Sequence, residues 1–117
     1  MAALSRWLEA MRDVAHLPAA VTDDIHVERF APVARGTVAD APVQVMDGVA
    51  AVATWLRLTP KNVAFELAGE PVVDGDLVTV EYIYRVTDHD WSNGGTWALR
   101  LAGDRIAWLA HRPFALA

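Results

Sequence analysis

No cysteine occurs in the 117 residues, which excludes a disulfide framework, a thiolate metal site and a thiol nucleophile. Basic residues are few, ten Lys and Arg against fifteen Asp and Glu, and the net charge is −5. They are scattered, so no basic stripe exists to neutralise phosphates and nucleic acid is not an expected partner. No stretch approaches the roughly 18 apolar residues a membrane span needs. The opening "MAALSRWLEAMRDVAHL" breaks its apolar pattern with Arg6, Glu9, Arg12 and Asp13, which an uninterrupted signal-peptide core would exclude. The chain reads as soluble, unexported and cytoplasmic, without a membrane partner. No repeat, low-complexity tract or linker divides it.

What is present is apolar material: 54% hydrophobic residues against 21% charged, enough to offset the entropy of ordering. The length fits a single domain over residues 1–117. Leu4, Trp7, Leu8, Met11 and Ala15 share one helical face, and Pro18 supplies a stop. Residues 19–24 read as a short turn, and "IHVERF" alternates as a strand with His26 outward. Residues 31–46, with two prolines and a glycine, read as a long loop or a strand-and-loop connection. Asp47 is placed to cap a helix carrying Val49, Val52, Ala53 and Leu56, which ends at Thr59-Pro60, with Trp55 beside that stripe.

After Pro60 the period changes from 3.6 to 2. Val63, Phe65 and Leu67 alternate, Gly69 suggests a bulge, and "DGD" at 74–76 signals a tight turn. Val78, Val80, Tyr82, Tyr84 and Val86 form the clearest strand. Trp97, Leu99 and Leu101 continue the pattern, "AGDR" turns, and "IAWLAHRPF" closes the sheet. The fold class is α+β, with helices packed on the concave face of a curved, mainly antiparallel sheet, a cone-shaped α+β barrel. "VMDGVAAVATWL", "DGDLVTVEYIY" and "WALRLAGDRIAWL" together resemble the nuclear-transport-factor-2-like superfamily, and within it the SnoaL-like and ketosteroid-isomerase-like proteins. The resemblance spans the chain as a pattern of elements.

Such a fold encloses an apolar pocket between helices and sheet, and strand alternation turns Val63, Phe65, Tyr82, Tyr84, Trp97 and Leu99 inward. In the last strand the apolar pattern is ambiguous. Resemblance to limonene epoxide hydrolase and the steroid isomerases places its inward set at Ala107, Leu109 and His111, with His111 at a position where relatives often carry a catalytic carboxylate. His111 is then the candidate acid or base, since histidine titrates near neutrality. Tyr82 and Tyr84 are candidate donors to an oxyanion. Trp7, Met11, Phe65, Trp97, Leu99 and Leu109 are the candidate contacts of an unknown small apolar ligand. No cofactor is expected.

The steroid-isomerase mechanism itself is not implied. Arg29 and Phe30 stand where those enzymes place an aspartate base, their second acid falls near Thr96 and Trp97, and Trp7 stands near their tyrosine. Asp40 is a remote substitute, from a loop that would have to swing over the pocket. "TDHDWSNGGTW" brings Asp88, His89 and Asp90 together, but neighbours in a strand point to alternate sides and no second ligand cluster appears, so no metal is expected. Its reading is a polar hairpin tip with Asn93, Gly94 and Gly95 supplying positive-φ positions. Trp108, Ile106, Ile83 and Ala98 group on the outer sheet face and suggest a homodimer. Two functions stand side by side: a small-molecule-binding protein with possible isomerase, dehydratase or cyclase activity, and a non-catalytic dimeric interaction or scaffold domain.

Overall fold

The structure, a computed structural model, describes residues 1–59, 62–88 and 91–115, without the side chain of Trp91. His89 and Asp90 lie outside the described residues. Among the described residues three α-helices, α1 (Ala2–Arg12), α2 (Leu17–Ala20) and α3 (Val49–Arg57), accompany seven strands. The strands are β1 (Val21–Arg29), β2 (Gln44–Asp47), β3 (Val63–Leu67), β4 (Val72–Asp74), β5 (Leu77–Val86), β6 (Trp91–Ala102) and β7 (Arg105–Pro113). They form one mixed, curved, unclosed sheet in the order β2-β1-β7-β6-β5-β3, with β4 extending the outer edge of β5. Among the described strand pairs only β1 and β7 run parallel.

Helix α1 buries Leu4, Trp7 and Ala10. It ends at Arg12, because Asp13 is extended and its carboxylate accepts the Ala15 N–H, starting a 3-10 turn. Pro18 therefore stops nothing. It sits in the first turn of α2, where a missing N–H removes no intrahelical bond. Asp47 likewise does not cap α3: Gly48 holds the cap position, and the Asp47 carboxylate is 2.6 Å from His26 Nδ1. Gly69 falls in the connection between β3 and β4. Strands β4 and β5 meet at the Asp74-Gly75-Asp76 turn, where Gly75 has φ +61°.

The helices cover one face of the sheet, and a continuous core joins Leu4, Trp7, Leu17 and Val52 to Ile25, Val27, Val80, Tyr82, Trp97, Leu99 and Leu109. Ile106 belongs to that core and is fully buried, so it is not part of the outer group. The register of β6 against β7 shifts between Arg100 and Leu101. A bulge there lets Ile106 and Leu109 share a face although they are three residues apart. Trp108 stays outside, facing Arg100 and the His26–Glu28 pair.

Gly94 and Gly95 lie within β6 rather than in a turn, and neither has positive φ. A Cβ on Gly94 would come 2.2 Å from the Tyr82 carbonyl oxygen. One on Gly95 would come 2.4 Å from the Arg112 carbonyl oxygen and 2.6 Å from the Tyr82 hydroxyl. The pair is there because the strands cross too closely for a side chain.

Candidate functional site

The inner ends of β3, β5 and β7 form a cavity of about 240 Å³ lined by Thr59, Val63, Phe65, Tyr82, Tyr84, His111 and Pro113. Its back wall is an aromatic stack. The Tyr82 ring lies over Trp97 at 4.2 Å between centroids and over His111 at 5.4 Å. Phe65 leans on Tyr82, Tyr84 and Trp97, and Trp55 from α3 meets the His111 ring edge-on at 5.3 Å.

His111 is held by a specific bond. The Trp97 indole Nε1–H donates to its Nδ1 at 2.9 Å. An indole can only donate, so Nδ1 must be the acceptor and the neutral ring carries its proton on Nε2. Nε2 faces the Tyr82 hydroxyl at 3.4 Å, long for a hydrogen bond. Burial disfavours the imidazolium, the Arg29 charge adds to this, and the His111 pKa falls to about 4. Burial, with a smaller contribution from Tyr84, pushes the Tyr82 phenol well above its usual range. At neutral pH both groups therefore keep their protons as hydrogen-bond donors. A resting base needs a free lone pair, and the one on His111 is occupied.

The remaining expected site residues separate into two sets. Phe65 and Tyr84 line the cavity beside Tyr82 and His111. Trp7, Trp97, Leu99 and Leu109 are fully buried and Met11 packs against the same core. Trp7 meets Trp97 edge-to-face at 6.3 Å, and its Nε1–H has no hydrogen-bond partner among the described residues. The structure adds Thr59 and Pro113 to the lining and Trp55 to the His111 wall. A stripe-edge position was the sole sequence signal for Trp55, and the other two carried none.

Asp40 cannot reach this cavity by the expected route. The segment after β1 crosses the opposite, outer face, where Arg35 pairs with Glu81 and Arg112 reaches the Ala39 carbonyl. Asp88 sits at the β5–β6 tip and accepts from the Asn62 side-chain amide at 3.1 Å. Among the described residues no group of three or more His, Asp or Glu could hold a metal ion, and no helix is long and apolar enough to cross a membrane.

No family model matches the chain, and no curated protein does. Solved structures do match. An NTF2-like protein of unknown function from Mesorhizobium loti superposes with TM-score 0.72 at 22% identity, covering 97% of this chain and 88% of that one. A SnoaL-like family protein from Agrobacterium tumefaciens gives 0.75 at 17% identity, covering 97% and 95%. An LEH-like epoxide hydrolase from Mycobacterium tuberculosis gives 0.65 at 21% identity, covering 95% and 79%. The fold is the NTF2-like cone of helices on a curved sheet. Proteins carrying it include SnoaL-like members and an epoxide hydrolase.

Proposed function

We propose that the chain binds a small, mainly apolar molecule carrying one neutral hydrogen-bond acceptor, such as a carbonyl, in the cavity lined by Phe65, Tyr82 and His111. The observation that carries this reading is His111 itself. Its tautomer is fixed by Trp97, its charge is suppressed, and among the described residues its Nε2–H has only a long contact to Tyr82. A neutral imidazole N–H in an apolar wall polarises a carbonyl without transferring its proton. Apolar rings around it favour flat or cyclic bodies. The volume of about 240 Å³ lies below the usual range of ligand pockets and sets a limit of about one ring system. Among the described residues the lining contains no carboxylate, so the reading is of binding and polarisation rather than proton abstraction.

The test is an NMR titration with acetophenone and, as its acceptor-free counterpart, ethylbenzene. Acetophenone is expected to shift the His111 Nε2 resonance and the amides of Val63 and Tyr82. His111→Phe should weaken it by about tenfold, the worth of one buried hydrogen bond. Equal binding of the two compounds, or shifts that avoid these residues, would defeat the reading.

A further inference from the structure

The segment from Ala31 to Ala39 roofs a second cavity, of about 300 Å³, on the outer face of the sheet and therefore separate from the one lined by Tyr82 and His111. Phe30, Val33, Val38 and Phe114 make it apolar, with Thr96 as a polar group among its lining residues. Two guanidinium groups border it, each laid over an aromatic ring. Arg35 lies 4.2 Å from the Phe114 centroid, and Arg112 lies 3.7 Å from that of Phe30.

Their charges are handled differently. Arg35 is neutralised by Glu81. Arg112 has no carboxylate partner among the described residues; its one bond is to the Ala39 carbonyl at 3.5 Å. Glu28, two strand positions away on the same face, is taken by His26 and Trp108. A partly buried guanidinium presents five donors in a planar fork. The stack on Phe30 holds that fork in place at the wall of an apolar cavity. With a chain charge of −5, long-range attraction draws in no anion, so selectivity rests on this local fork.

We propose that this outer cavity is a binding site for a small organic carboxylate with a compact apolar body, whose carboxylate pairs with Arg112 and whose body fills the space between Phe30 and Phe114. Bidentate pairing with a carboxylate is what the fork geometry favours, and the apolar walls reject inorganic anions, which cannot fill them.

The experiment is an amide-resolved NMR titration with phenylacetate and its neutral counterpart 2-phenylacetamide. Phenylacetate should shift Thr37, Val38, Thr96 and Arg112 saturably, leaving Val63 and Tyr82 still, and should bind at least about tenfold tighter than the amide. Arg112→Gln should remove that preference. Val38→Glu should do the same by placing a carboxylate at the rim, and since Val38 is 72% exposed this change leaves the buried core undisturbed. Shifts centred on Val63 and Tyr82, equal binding of acid and amide, or a preference that survives Val38→Glu would overturn the proposal. So would concentration-dependent shifts at the same amides without ligand, which would assign the face to a second copy of the chain.

Discussion

At the scale of single residues, the Trp97–His111 bond decides what the candidate site can do. Without Trp97 the Nδ1 lone pair is free and the ring can protonate there. Trp97→Phe keeps an aromatic ring against Tyr82 while deleting the donor. The imidazole 15N shifts of the wild type should report one Nε2–H tautomer across neutral pH, and those of Trp97→Phe a mixture of tautomers. An unchanged spectrum would show that burial alone selects the tautomer. Gly95 acts at the same scale. It admits the Tyr82 hydroxyl beside the β6–β7 crossing, and an added methyl would press on backbone atoms that cannot rotate away. Gly95→Ala should cost roughly 1–3 kcal/mol in urea unfolding, the usual penalty of overpacking; a neutral change would mean the crossing relaxes.

The elements show where a strand's sequence misleads about its faces. In β7 the bulge opposite Arg100 and Leu101 turns Ile106 inward, against strict alternation. Ile106→Ala should therefore cost roughly 2–5 kcal/mol as a core truncation, where a surface site would stay within about 0.5 kcal/mol. The inward face of β3, β5 and β6 was legible because each strand alternates without interruption from Val63, Val78 and Trp97 onwards. His111 was placed through resemblance, since its own strand did not decide. The path of residues 31–43 was not legible at all. Its side of the sheet is fixed by the Arg35–Glu81 pair and the Arg112 bond to the Ala39 carbonyl, between residues tens of positions apart that no local pattern couples. Trp55 reaches the His111 ring, and Pro113 the cavity, for the same kind of reason, the packing of α3 against the end of β7.

For the whole molecule, two histidines on opposite faces of one sheet set opposing limits on stability against pH. His111 has its pKa lowered to about 4 from 6.5, so between those values the unfolded chain binds more protons and stability falls as pH falls. The loss reaches roughly 3 kcal/mol once pH is below the folded value. His26 behaves the other way. Its Nδ1 and Nε2 lie 2.6 Å from Asp47 and 3.0 Å from Glu28, and two carboxylates require two N–H donors, hence an imidazolium. The Asp47 hydrogen bond is the main cause of its raised pKa, with burial opposing. Its contribution is complete below pH 6.5 and disappears as pH rises through the folded value. Their joint maximum lies near pH 6.5. Urea unfolding from about pH 5.5 to 8.5 stays above most of the carboxylate range and samples both limbs. His111→Gln should flatten the acid limb and leave the other, while His26→Gln should flatten the alkaline limb alone. If either substitution flattens both, the two histidines are coupled through β1 and β7, and the concave site senses charge on the outer face.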